Sequence, residues 1–176
     1  MPLLKEGRLI EDTWVVLADG ANAPAKANIV VSFDRLKQDL KSLISREGLL
    51  GVYLDNNVDV HELAPFIEKL SIISLNFPVF TDGRAYSQAR TLTTELEFTG
   101  ELRATGDVLV DQGIFMSQCG FTTFETDERQ SPNQWLSIAN AMSLAYQKGY
   151  NSREGFSPRE VLEERDQNQP AAWGHF

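Results

Sequence analysis

"NIVVSFDRLKQDLKSLISREGLLGVYL", residues 28–54, carries the pattern on which the fold turns. Residues 28–33 form a compact β-branched run. Residues 49–54 form a second short apolar run. Both have the length and composition of buried strands. Between them, over 34–48, Leu36, Leu40, Leu43 and Ile44 recur at helical spacing. Asp34 stands where an N-cap belongs, and Gly48 where a helix stops. The stretch reads as strand, helix, strand.

The same alternation continues downstream. Residues 59–70 read as a helix that Pro65 should kink or break. Residues 71–77 form a third strand. A helix follows from about Arg84 to Glu97, burying Ala85, Ala89, Leu92 and Leu96. Residues 101–106 are a fourth strand, and 107–120 a helix capped by Asp107 and stopped at Gly120. Residues 121–126 are a fifth strand, and 131–149 a helix opened by Ser131-Pro132. Upstream, 8–17 reads as a β-hairpin or strand pair, and 19–27 as a loop.

Strand and helix alternating over some 120 residues predicts an α/β fold with a mainly parallel sheet. A full eightfold barrel needs roughly 200 residues or more, so the expected form is an open sheet or a partial TIM-like barrel. Three regions follow: an N-terminal hairpin and loop (1–27), the α/β domain (28–149) and a polar C-terminal tail (150–176). The tail reads either as a fraying end or as a short helix near 158–164. Its aromatic end, Trp173 to Phe176, is unusual for a tail, and docking on its own domain or on a partner is one reading of it.

The chain has 176 residues, 42% hydrophobic and 23% charged, which suits one globular domain. The net charge of −9 argues against a nucleic-acid footprint and against an anionic membrane surface. No apolar run approaches a membrane span, and "MPLLKEGRLIEDTW" has no signal-peptide pattern. The expected location is the cytoplasm. One cysteine, Cys119, cannot build a disulfide framework or a cluster site within the chain. At a helix C-terminus it reads as inert packing. The two histidines, His61 and His175, form no catalytic or metal-binding arrangement. No glycine-rich nucleotide loop is present. No cofactor and no metal site is evident, and catalytic residues stay unassigned.

In parallel α/β sheets, ligands sit at the carboxyl ends of the strands. Four turns fall on that edge: Asp55-Asn56-Asn57, Thr81-Asp82-Gly83-Arg84, Gly106-Asp107 and Glu125-Thr126-Asp127. The second lies inside "FPVFTDGRAYSQAR", residues 77–90. Thr81 or Asp82 can cap the following helix, and Gly83 permits a tight turn. Arg84 is unusual at a positive helix end unless an anion or carboxylate faces it. Tyr86 and Arg90 are spaced to stack. The corner is either an anion or partner site, or a capped helix whose arginines pair with Asp82 or Glu125. Arg103, Asp107 and Asp111 have two readings as well. The two aspartates hold a divalent cation or share acid–base work, or they enter an internal ion network with Arg84 and Arg103. Gln112 lies on the apolar stripe Val108, Phe115, Cys119 and needs a partner if buried.

"FPVFTDGRAYSQAR", "FTGELRATGDVLVDQ", "CGFTTFE" and "AYQ" resemble the bacterial domain of unknown function 934 family. The resemblance spans about residues 28–148, and 77–124 is its most specific part. Members are often encoded beside the assimilatory sulfite reductase hemoprotein and are described as an oxidoreductase involved in sulfite reduction. The resemblance therefore implies a role in sulfate assimilation, with sulfite reductase or its electron donor as partner. It brings no settled catalytic mechanism. Three functional readings remain open: a non-catalytic accessory protein, a small-anion-binding enzyme or oxidoreductase with its site at the strand carboxyl edge, and a structural homodimer.

Overall fold

The computed structural model describes residues 3–5, 8–125 and 134. Among them, eight strands form one sheet: β1 (Leu3–Lys5), β2 (Arg8–Ile10), β3 (Val15–Val16), β4 (Ile29–Ser32), β5 (Leu50–Leu54), β6 (Ile72–Phe77), β7 (Glu101–Gly106) and β8 (Thr123–Glu125). Three α-helices accompany them: α1 (Phe33–Ile44), α2 (Arg84–Thr94) and α3 (Gly113–Gln118). The strand order is β2-β1-β8-β7-β6-β5-β4-β3. From β3 to β8 neighbours run parallel in chain order. β1 enters antiparallel between β8 and β2. The sheet is thus mixed, which corrects the expectation of a mainly parallel one. The cause is the N-terminal hairpin. β1 and β2 do form it, but β1 joins the last strand rather than standing apart.

The span 8–17 is not a hairpin. Its first part is β2, and its second part is β3 at the other end of the sheet. Only residues 11–14 connect them. A chain of that length reaches at most about 18 Å at ~3.3–3.6 Å per residue. Eight strands laid flat would separate the outer two by roughly 34 Å at ~4.8 Å per gap. The sheet must therefore curl, and it forms a half-barrel. Residues 11–14 are the strap that crosses its open side.

The outer face of the sheet is apolar. Val31, Val52, Ile73, Leu75, Phe77, Leu102, Ala104 and Phe124 form one cluster with Phe33, Leu36 and Leu43 of α1 and Ala85, Ala89 and Leu92 of α2. Each such fully buried aliphatic or aromatic side chain contributes about 1.5–3 kcal/mol. Helix α1 is capped by Ser32, whose Oγ accepts from the Arg35 N–H at 3.2 Å, and not by Asp34, which sits in the first turn. Ile44 is exposed rather than part of the stripe, because α1 ends there. Residues 59–70 form two short 3-10 turns, Val60–Leu63 and Ile67–Lys69, instead of one helix. Pro65 lies between them and supplies no N–H. Helix α2 stops at Thr94. Residues 107–120 hold only a 3-10 turn, Val110–Gln112, and α3. The expected helix 131–149, the tail and His175 lie outside the described residues. No helix among those described is long and apolar enough to cross a membrane.

Candidate functional site

At the corner after β6, Pro78 ends the ladder because it has no N–H to give. The turn is closed by the Asp82 N–H donating to the Val79 carbonyl at 3.0 Å. Asp82 then does three things. Its Oδ1 accepts from the Arg84 N–H at 3.2 Å, satisfying an orphan donor of α2. Its Oδ2 accepts from Arg84 Nη2 at 2.6 Å. The same oxygen accepts from Asn56 Nδ2 at 2.7 Å. These bonds, the Arg84 side chain foremost, hold the Asp82 carboxyl down at about 2. Arg84 is thus matched by its own turn, and it does not face the carboxylates of 107–111.

Thr81 and Gly83 are exposed. Tyr86 does not stack on Arg90. Its ring sits among Phe77 (5.1 Å between centroids), Phe115 (4.9 Å) and Phe121 (6.5 Å). Arg90 is exposed on α2. Its charge partly offsets the burial that pushes the Cys119 thiol up, so that thiol is no ready nucleophile. Asp107 is not a helix cap: its Oδ2 accepts from the Phe80 N–H at 3.0 Å, and its own N–H donates to the Phe77 carbonyl at 2.8 Å. Asp111 is exposed. Gln112 Nε2 donates to the Phe80 carbonyl at 3.3 Å, and its Oε1 is buried without a partner. The loop Val79–Phe80 is therefore tied to 107–112. Val79, Phe80 and Phe115 are left exposed beside it, at 49%, 47% and 56%.

Arg103 lies elsewhere, on the concave face. Only 4% exposed, it donates through Nη1 to Asp12 Oδ2 of the strap at 2.8 Å and through Nη2 to Glu101 Oε1 at 2.9 Å. Glu101 also accepts from Lys5 Nζ at 2.7 Å. Burial pushes the Glu101 carboxyl up, but the bonds from Lys5 and Arg103 outweigh it, and the net displacement is downward. The expected network of Arg84 and Arg103 with Asp107 and Asp111 does not form. Beneath the strap lies a cavity of about 500 Å³ bordered by Asp12, Trp14, Glu101 and Arg103.

From the row that holds Lys5 and Arg103 upward, the concave wall is polar. The register sets Lys5, Thr123, Arg103, Ser74, Tyr53 and Ser32 in one row across six strands. Two residues further along, Asn76 pairs with Thr105, flanked by Asp55 after β5 and Glu125 on β8. Thr123 is fully buried, and its Oγ1 has no partner. The Tyr53 hydroxyl is pushed up to about 12, first by burial, then by the charges of Asp55 and Glu125. One phenol thus senses a carboxylate just after β5 and another on β8, two strands separated by β6 and β7. At the wall's upper end Gly106 turns the chain with φ +88°. A Cβ there would strike the Phe77 carbonyl and the Asn76 side chain.

Turn-by-turn reading overlooked this wall. Its signal was nevertheless in the strands: polar residues two apart close four consecutive ones, as Tyr53/Asp55, Ser74/Asn76, Arg103/Thr105 and Thr123/Glu125. Such pairs share one face of a sheet.

No curated protein matches the chain. A family model described as "Bacterial protein of unknown function (DUF934)" matches residues 51–157, the part running from β5 past β8 and including both the corner and most of the concave wall. The chain belongs to that family.

Proposed function

We propose that this protein is a cytoplasmic accessory component of assimilatory sulfite reduction, acting by contact with the sulfite reductase or its electron donor. The process comes from the sequence resemblance. The observation that carries the contact reading is the exposed group Val79, Phe80 and Phe115, held in place by Asp107 and Gln112. Exposed aromatic side chains on a rigid support are what binding surfaces offer. Exposed Asp111 nearby favours a partner with basic groups around an apolar pocket.

A small-anion site built from Arg84, Arg90 and Arg103 finds no support. Arg84 is matched by Asp82, Arg90 stands out on α2, and Arg103 is buried between two carboxylates. The test is co-purification of the tagged chain with the sulfite reductase system from cells growing on sulfate. Wild type should retain the reductase or its donor, and a Phe80→Ser/Phe115→Ser variant should lose it. Failure of the wild type to retain either, with normal growth of a deletion strain on sulfate, would refute the proposal.

A further inference from the structure

We propose that residues 11–16, the strap together with β3, are a latch that swings off the half-barrel as one unit, fastened by Asp12 to Arg103. The argument begins with how little holds the segment. Its two ends are anchored. Ile10 pairs with Leu3 in the hairpin. Leu17 packs against the core, and its N–H donates to the Val30 carbonyl at 2.9 Å. Between these hinges the chain lies open to solvent. Val15 and Val16 are 44% and 70% exposed, Glu11 and Thr13 are exposed as well, and Trp14 is half-buried. β3 is two residues long and pairs with β4 through Val15 and Val16 only. The neighbouring strands are different in kind: Val30, Val52, Ile73 and Leu102 are at most 1% exposed. A segment with few buried apolar groups opens locally at a lower cost than the whole fold.

The second observation is the fastening itself. Among the described residues, Asp12 is the one strap side chain bonded outside the strap. Its Oδ2 accepts from Arg103 Nη1 at 2.8 Å. Its Oδ1 accepts from the Trp14 N–H at 3.0 Å, which keeps the strap's own shape. The receiving side is built to outlast release. Glu101 Oε1 accepts from Arg103 Nε at 3.2 Å and from Nη2 at 2.9 Å, and Lys5 Nζ steadies Glu101 at 2.7 Å. Arg103 therefore keeps its place and a charge partner when Asp12 leaves. Stranding a buried charge is the large cost of breaking such a pair, and Glu101 removes it. Opening uncovers the cavity of about 500 Å³, bordered by Asp12 and Trp14 on the strap and by Glu101 and Arg103 on the wall.

Hydrogen exchange of the full chain tests this. The reporter is the Val15 amide, which donates to the Asn28 carbonyl at 2.9 Å, read against amides of the central strands β5 and β6. In wild type, Val15 should exchange about tenfold faster than those strands, or more, because it is released by local opening. Asp12→Ala should speed Val15 by about a further tenfold and change β5 and β6 far less. Asp12→Asn, which keeps an acceptor for Arg103, should lie between, and it carries the test should Asp12→Ala not fold. Acrylamide quenching of Trp14, read in a Trp135→Phe/Trp173→Phe chain, should rise when Asp12→Ala is added, as the cavity opens. The proposal is overturned if Val15 exchanges no faster than β5 and β6, or if loss of the Asp12 carboxylate leaves its rate unchanged. It is equally overturned if Asp12→Ala speeds every strand alike, which would make the pair a general support of the fold, or if Trp14 quenching stays the same.

Discussion

Arg103 and Asp12 stand 91 positions apart in the chain, and their side chains meet at 2.8 Å. That one contact fastens the strap between β2 and β3 to the middle of the concave wall. Arg103→Leu leaves Asp12 without its partner and strips Glu101 of two bonds. The expected cost is about 3–5 kcal/mol, the range for breaking a buried ion pair. Asp12→Asn keeps a hydrogen bond and should cost about 1–2 kcal/mol. Urea unfolding of both variants checks the order, and equal costs would contradict it.

The same network predicts acid sensitivity. Glu101 is displaced downward in the folded state. Its contribution is therefore complete above its unfolded value and is lost as pH falls through the folded one. Between about pH 5 and 3, wild type should lose more stability than Glu101→Gln. Parallel stability curves for the two proteins would argue against the assignment.

Tyr53 predicts the opposite limb. Its hydroxyl is raised from 10.0 to about 12. The folded state then holds a proton that the unfolded state releases. The stabilisation is intact below pH 10 and disappears as pH rises through about 12. Absorbance of phenolate should show a component titrating at about 12, later than that of Tyr86, which burial also raises. That late component should vanish in Tyr53→Phe and move down in Glu125→Gln.

Gly106 is the residue whose backbone the wall cannot replace. At φ +88°, with the Phe77 carbonyl against it, Gly106→Ala combines an unfavourable conformation with a clash. A loss of about 1–3 kcal/mol is expected, measured by thermal unfolding. An unchanged midpoint would mean that β6 and β7 tolerate separation.

Phe115 and Phe80 predict a separation of stability from contact. Phe115 packs on Tyr86 at 4.9 Å but is more than half exposed. Phe115→Ala should cost roughly 0.5–1.5 kcal/mol, the worth of an aromatic pair. Phe80→Ser should cost less than about 1 kcal/mol. Retention of a partner should fall far more than either figure suggests.

Much of the layout could be read from the chain itself. The strands at 28–33, 49–54, 71–77 and 101–106 and the helices after the first and third follow from local periodicity. That periodicity is a property of neighbouring residues and needs no tertiary context. The corner at 77–90 was likewise legible, because proline, turn residues and helix spacing act over a few positions. Helix 59–70 failed for a local reason as well: Pro65 outweighed an apolar pattern. What tertiary structure alone decided was pairing at a distance. β1 chose β8, so the sheet became mixed and curled. Arg103 chose Asp12 and Glu101 over the aspartates of the next turn, because strand alternation turns its side chain to the concave face. Thr123, Tyr53 and Glu125 became one wall only when β5 and β8 curved toward each other. Local sequence records which residues share a face of a strand. Which strands then face one another depends on chain segments some hundred residues apart, and that is settled only when the sheet closes on itself.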